Sequence, residues 1–137
     1  MSASENAHRF ALRVRYADVD AMGYAYYAHY LRWFEIGRTE FLRDLGTTYR
    51  RVEEGGVSFP VTEAYVKYLS PARYDELIEI RTRVAYVKRA SLKLEYEVAD
   101  AEAGTVHARG HTVHAAVDSG GHIVRISDEL ISVINRR

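Results

Sequence analysis

One stretch of this chain, Tyr27 to Leu45, carries the hydrophobic period of a helix, and nearly everything else carries the period of a strand. Tyr27, Tyr30, Leu31, Phe34, Gly37, Arg38, Phe41, Leu42 and Leu45 recur at three- and four-residue spacing, one face of a helix about five turns long. No second helix of that length is available to cover the face. The apolar side must therefore lie on a sheet. Gly37 sits on that side, where glycine costs about 1 kcal/mol relative to alanine in a helix interior. Its position predicts that helix and sheet approach closely there. Gly46 is the expected stop just past the helix end.

The strands follow from alternation. Phe10, Leu12, Val14 and Tyr16 alternate with arginines over His8 to Tyr16, after a first seven residues that read as a disordered tail. Beyond Gly55-Gly56, strands are predicted over Val57–Leu69, from Ile78 to Tyr86, from Leu92 to Val98, over Thr105–Val117 and, after an Asp118–Gly121 hairpin, over His122–Ile126. Ser127 caps a last short helix with Asp128 and Glu129 in its first turn. The order is strand, long helix, then antiparallel strands. This is an α+β chain whose sheet curls around one central helix, with one sheet face left over to meet another subunit.

Composition excludes several classes. The chain has 137 residues, room for a single domain over 8–137, and 19 Lys plus Arg balance 19 Asp plus Glu. A nucleic-acid partner would show as a basic surplus. No apolar run of about 18 residues spans a membrane, and the polar start has no signal-peptide core. With no cysteine, disulfides, thiolate metal sites and cysteine nucleophiles are absent. The expectation is a cytoplasmic protein that oligomerises to complete its core or site.

The chemistry concentrates between the first strand and the helix, in Tyr16-Ala-Asp-Val-Asp-Ala-Met-Gly-Tyr-Ala-Tyr-Tyr-Ala-His-Tyr. Unpaired amides at a helix start favour negative charge. A carboxylate just before them can attack, or activate water to attack, a carbonyl whose oxygen rests on those amides. Asp18 and Asp20 would serve equally well as loop and cap residues, and composition does not decide between the two readings.

Tyr16, Asp18, Asp20, Gly23, Tyr26, Tyr30, Trp33-Phe34-Glu35, Arg38 and Glu40 together resemble the signature of the 4-hydroxybenzoyl-CoA thioesterase family, which includes the acyl-CoA thioesterases of the Tol–Pal gene cluster. The resemblance continues through Ser58-Phe59-Pro60-Val61 and Tyr68-Leu69-Ser70-Pro71-Ala72-Arg73-Tyr74-Asp75-Glu76. It implies the hotdog fold, a long central helix wrapped by a curved antiparallel sheet, and hydrolysis of an acyl-CoA thioester to a carboxylic acid and coenzyme A. It further implies Asp20 as the catalytic carboxylate, the Tyr27 backbone amide as the donor to the thioester carbonyl, and Gly23 as the tight turn between them. In the turn Val87–Ser91, Lys88 and Arg89 are implied as ligands of the coenzyme A phosphates. Many acyl-CoA members carry histidine where this chain has Tyr27, which makes His29 a substrate-binding candidate. Tyr24, Tyr26 and Tyr27 suggest an apolar or aromatic acyl pocket. No metal and no cofactor is implied beyond coenzyme A as part of the substrate. The partner implied is a second copy, as a dimer or tetramer with sites across the interface.

Other residues invite weaker readings. Glu35 is expected to pair with Arg32 or Arg38, and Glu63 on an apolar strand has no account. His107, His111 and His114 suggest metal, but on a strand 107 and 111 lie about 13 Å apart and 114 points to the other face. Arg9, Arg13 and Arg15 read as a polar strand face. The rival function is a non-catalytic hotdog domain that binds acyl-CoA as a sensor; a hotdog dehydratase would need an Asp/His pair elsewhere.

Overall fold

The computed structural model describes residues 7–46 and 54–135. The tail expected over the first seven residues falls outside them, except for Ala7. The strands are β1 (His8–Arg13), β2 (Val61–Tyr68), β3 (Leu77–Val87), β4 (Ser91–Asp100) and β5 (Val106–Ala115). Among the described residues, a short 3-10 turn covers Tyr16–Asp18, and the α-helices described in full are α1 (His29–Asp44) and α2 (Asp128–Asn135). The strands form one antiparallel sheet in the order β1-β3-β4-β5-β2. The expected architecture is present: α1 lies against the sheet, touching β1, β2, β3 and β4.

The close approach predicted at Gly37 is there. A Cβ on Gly37 would stand 2.6 Å from both Ile80 Cγ2 and Thr82 Oγ1 of β3. One turn earlier, Phe34 stacks flat on Tyr96 of β4, with centroids 4.3 Å apart at an interplanar angle of 5°. Gly110 of β5 makes room for that ring, since a Cβ there would lie 2.6 Å from it. Trp33, Phe34, Ile78, Ile80 and Val98 are fully buried between helix and sheet, each contributing on the order of 2 kcal/mol by removal from water. Ser127 caps α2 as expected, accepting the Leu130 amide at 3.1 Å.

Three expectations change. Helix α1 begins at His29, because Tyr27 and Ala28 form a tight turn with no side-chain cap, in which the His29 amide donates to Tyr26. The strand expected over His122–Ile126 reduces to a single bridge, Val117 to Ile123: Asp118 accepts the Gly120 and His122 amides and binds that segment as a turn. The strand expected over Val57–Leu69 begins at Val61, and Ser58 bridges Val117 instead.

The outward sheet face is a charge ladder. Arg9 reaches Glu79 at 2.6 Å, Arg81 reaches Glu79 at 2.8 Å and Glu97 at 3.4 Å, and Arg109 reaches Glu97 at 2.8 Å. The register defines two rims. One gathers the ends of β1, β2 and β4 and the starts of β3 and β5; the other gathers the start of β2, the end of β5 and the β3–β4 hairpin. No helix among the described residues is long and apolar enough to cross a membrane.

Candidate active site

The two aspartates of the loop after β1 have different work. Asp18 is buried and accepts hydrogen bonds from the Arg15 amide at 2.8 Å and the Arg15 guanidinium at 3.1 Å, with Arg32 at 3.8 Å. Burial alone would raise its pKa, but the Arg15 hydrogen bonds and the two arginine charges outweigh burial and hold it below the usual carboxylate range. Its carbonyl accepts the Tyr26 amide at 2.8 Å. Asp18 therefore pins the loop.

Asp20 is half-buried on the same loop. One oxygen, Oδ1, accepts the Met22 amide at 2.9 Å and the Tyr24 amide at 3.2 Å. The other, Oδ2, has no hydrogen-bond partner among the described residues. The chain turns back at Gly23, whose φ of +80° is costly for any residue with a Cβ. That turn lets the Asp20 amide meet the Tyr24 carbonyl at 2.8 Å. Residues 18–20 thus run beside 24–26, and the next residue is Tyr27.

At the start of α1 the Tyr27 and Ala28 amides have no acceptor among the described residues, as first-turn donors require some outside partner. Their neighbours are engaged: the Tyr26 carbonyl accepts His29 at 2.9 Å, and the Tyr27 carbonyl accepts the Tyr68 hydroxyl at 2.8 Å. Around this corner stand Tyr26 and Tyr27, with rings 4.7 Å apart, and the half-buried His29, edge-on to Tyr26 at 5.8 Å. The loop that carries Asp20 and Gly23 is thus paired to the segment that leads directly into Tyr27 and His29.

The segment Ser70–Glu76 holds this loop from behind. The Ala25 amide donates to Ala72 at 2.8 Å, the Tyr74 amide to Gly23 at 3.4 Å, and Arg73 lies 4.7 Å over the Tyr24 ring. Both ends of the segment are tied by buried His107: Nδ1 is 2.9 Å from Ser70 Oγ, and Nε2 contacts Glu76. Ser70 and Glu76 lie in the stretch that carries the family resemblance, and no site role was expected of either. His107 sits at a register shift between Val98 and Ala99 opposite β5, which breaks the alternation there and leaves His107 and Ala108 both buried. Glu76, Asp100 and His107 each offer a ligand atom within 4.8 Å of one another. The donor set would suit a borderline cation, but the imidazole nitrogens are engaged by Ser70 and Glu76. The hydrogen bonds to Ser70 and Glu76 account for His107, and Asp100 accepts the Glu102 and Ala103 amides.

Lys88 and Arg89 are not brought to this corner. They form the exposed β3–β4 hairpin, closed by the Lys88 amide on the Ser91 carbonyl at 2.8 Å. β3 runs eleven residues from the Asp20 rim to that hairpin, roughly 30 Å at strand rise. The Lys88 ammonium rests 4.4 Å over the Tyr86 ring.

The remaining candidates have structural partners. His111 meets Glu63 across β5 and β2 at 2.7 Å, which accounts for that acid. His114 lies between Phe59 and Thr112. Glu35 is exposed and does not pair as expected, because Arg32 turns to Asp18 and Arg38 lies beside Tyr96. An apolar cavity of about 40 Å³ lined by Phe41, Leu92, Leu130 and Ile134 lies near the end of α1, away from the helix start that the Asp20 loop leads into.

A central helix cradled by an antiparallel sheet is the hotdog arrangement. The chain belongs to the thioesterase-like superfamily, whose family model matches residues 14–134. The acyl-CoA thioesterase YbgC of Haemophilus influenzae is 39% identical over 92 residues, covering 66% of this chain and 68% of that one. The crystal structure of the Thermus thermophilus protein TT1821 superposes with a TM-score of 0.87 at 34% identity, over 93% of this chain and 97% of the other. The DHNA-CoA thioesterase of Staphylococcus aureus gives a TM-score of 0.88 at 25% identity, over 95% and 89%.

Proposed function

We propose that this chain hydrolyses acyl-CoA thioesters, with Asp20 as the catalytic carboxylate and the Tyr27 amide as the carbonyl's hydrogen-bond donor. The observation that carries the reading is the Asp20 carboxylate, with Oδ1 held by two amides and Oδ2 unpartnered among the described residues, on a loop paired to the segment leading into a helix start whose first amides have no acceptor among those residues. The carboxylate acts on the thioester carbon directly or through a water whose proton it takes. Either way the C=O electrons move onto oxygen, and the resulting oxyanion is met by preorganised N–H dipoles. Collapse breaks the C–S bond, and coenzyme A leaves as the thiol after protonation. On the water route the proton taken by Asp20 goes to the thiolate and the free acid is formed directly. On the direct route the acyl group stays on Asp20 as an anhydride until water hydrolyses it and releases the acid. No cofactor takes part beyond the coenzyme A of the substrate. Gly23 sets the turn that holds carboxylate and amide together. The Tyr26 and Tyr27 rings, with His29 behind them, offer an apolar and aromatic wall to the acyl group. The setting is the cytoplasm, where acyl-CoA substrates are available.

Two copies complete the site. β2 is an edge strand whose outer side meets no strand among the described residues, and Val61, Tyr65 and Tyr68 on it are each about half exposed. Long exposed apolar edges are normally covered. Pairing β2 antiparallel with β2 of a second copy sets the Tyr68 end of one beside the Val61 end of the other. That brings the second copy's β3–β4 hairpin, with Lys88 and Arg89, to the rim that carries Asp20. The phosphates of coenzyme A then meet cations from one copy while the thioester meets Asp20 of the other.

The test is thiol release from short and long aliphatic, benzoyl and hydroxybenzoyl-CoA. Asp20→Asn should lower kcat at least about 10²-fold, the scale of a lost acid–base group, with folding unchanged. A variant keeping more than half its activity overturns the assignment. Tight binding of these esters without turnover by the wild-type chain would favour an acyl-CoA sensor instead.

A further inference from the structure

We propose that Tyr68 is a positioning residue for the thioester carbonyl, acting through the Tyr27–Ala28 peptide to make the Ala28 amide a second donor beside that of Tyr27. The inference rests on the thioesterase reading above. The Tyr68 hydroxyl donates to the Tyr27 carbonyl at 2.8 Å, and that carbonyl shares a peptide unit with the Ala28 N–H. A hydrogen bond to the oxygen of an amide draws charge from its nitrogen and strengthens its N–H as a donor. The helix itself supplies little of this, since the Tyr30 amide reaches the same carbonyl only at 3.4 Å.

The phenol is held for this task. Its ring packs edge-on against Tyr30 at 5.1 Å and 83°, and the Tyr30 hydroxyl accepts the Ala72 amide at 3.4 Å. Tyr30 is buried in the helix–sheet core, so the orientation of Tyr68 is fixed from the rigid part of the molecule. Tyr68 is the last residue of β2, so the bond also ties the edge strand to the first turn of α1. Burial first, then the neighbouring Tyr27, pushes its pKa up, so it stays a proton donor across the working pH range. Two adjacent amides, one of them sharpened by a phenol, form a two-point clamp for the oxyanion, and the clamp tightens as negative charge develops.

The experiment compares wild type, Tyr68→Phe and Asp20→Asn with benzoyl-CoA and a short aliphatic acyl-CoA, and follows kcat and KM separately. In Tyr68→Phe, kcat should fall about tenfold, less than the full loss of one oxyanion donor, while KM stays within twofold. Oligomeric state and thermal midpoint should match wild type. A kcat within twofold of wild type overturns the inference, as does a rise in KM alone. A second measurement places fluorotyrosines of increasing acidity at position 68, which keeps shape and fold. The kcat should climb with donor strength, a response that a merely structural ring would not give, and a flat series overturns the proposal even if Tyr68→Phe folds poorly. If Asp20→Asn abolishes turnover while both Tyr68 tests are silent, this inference alone fails. If Asp20→Asn stays active, the thioesterase reading fails and this inference falls with it.

Discussion

His114 lies on the inward side of β5 with both ring nitrogens engaged. Nδ1 is 2.9 Å from the Phe59 carbonyl, and Nε2 is 2.8 Å from Thr112 Oγ1, which is 2.7 Å from the Tyr96 hydroxyl. A carbonyl can only accept, so Nδ1 carries the proton. Tyr96 then donates to Thr112, and Thr112 donates to Nε2. A second proton on the ring would reverse that chain in a buried place, next to the Arg38 charge. Burial first lowers the His114 pKa, and Arg38 lowers it further, against the Phe59 hydrogen bond that raises it. The sign follows: between the folded and unfolded pKa values the unfolded chain binds more protons, so stability rises with pH. This contribution is whole above about pH 6.5, the unfolded value, and is lost as pH falls toward the depressed folded value. Asp18 is also depressed, but from 3.8, so its contribution is lost only in more acid solution. Urea unfolding from pH 7.5 to 5 should show wild-type stability declining below about 6.5, and His114→Gln should flatten that decline. An unchanged slope in the variant would remove His114 as its cause.

At the scale of elements, the contact between α1 and β3 is set by one missing Cβ. In Gly37→Ala the new methyl meets Ile80 Cγ2 and Thr82 Oγ1 at 2.6 Å, and both belong to the tightly packed centre of the sheet. Overpacking of this kind costs about 1–3 kcal/mol, offset by about 1 kcal/mol of helix propensity. We expect a net loss of up to about 2 kcal/mol in urea unfolding, with α1 retained by circular dichroism. Equal or greater stability would mean that the helix can shift off the sheet. This element was readable in advance because helix period and strand alternation are local properties of the chain. So was the Asp20–Gly23 turn, where residue type dictates backbone shape. Other features depend on pairing across the sheet, which local periodicity does not carry. The register shift that turns His107 inward is one. The reduction of His122–Ile126 to one bridge is another, because Asp118 takes the amides a hairpin strand would have offered. The Tyr68 contact joins residues 41 positions apart, and no spacing rule announces it.

The whole molecule poses a question of distance. Asp20 and the Lys88–Arg89 hairpin lie on opposite rims, separated by the length of β3. One chain cannot bring them to the same coenzyme A end to end without spanning roughly 30 Å of sheet. An antiparallel β2–β2 pair removes the difficulty, because its two-fold axis exchanges the rims. If each site draws its carboxylate from one copy and its phosphate cations from the other, two differently damaged chains can repair each other. Asp20→Asn alone should have little kcat, and Lys88→Glu with Arg89→Glu should raise KM for acyl-CoA steeply. When the two variants are unfolded together and refolded as an equal mixture, about half the dimers are mixed, and each mixed dimer carries one intact site. At acyl-CoA concentrations near the wild-type KM, activity should recover to about a quarter of wild type. A site built within one chain gives no such recovery, because every chain then carries one of the two lesions. Light scattering on the same samples fixes the oligomeric state, and an active monomer would overturn the shared site directly.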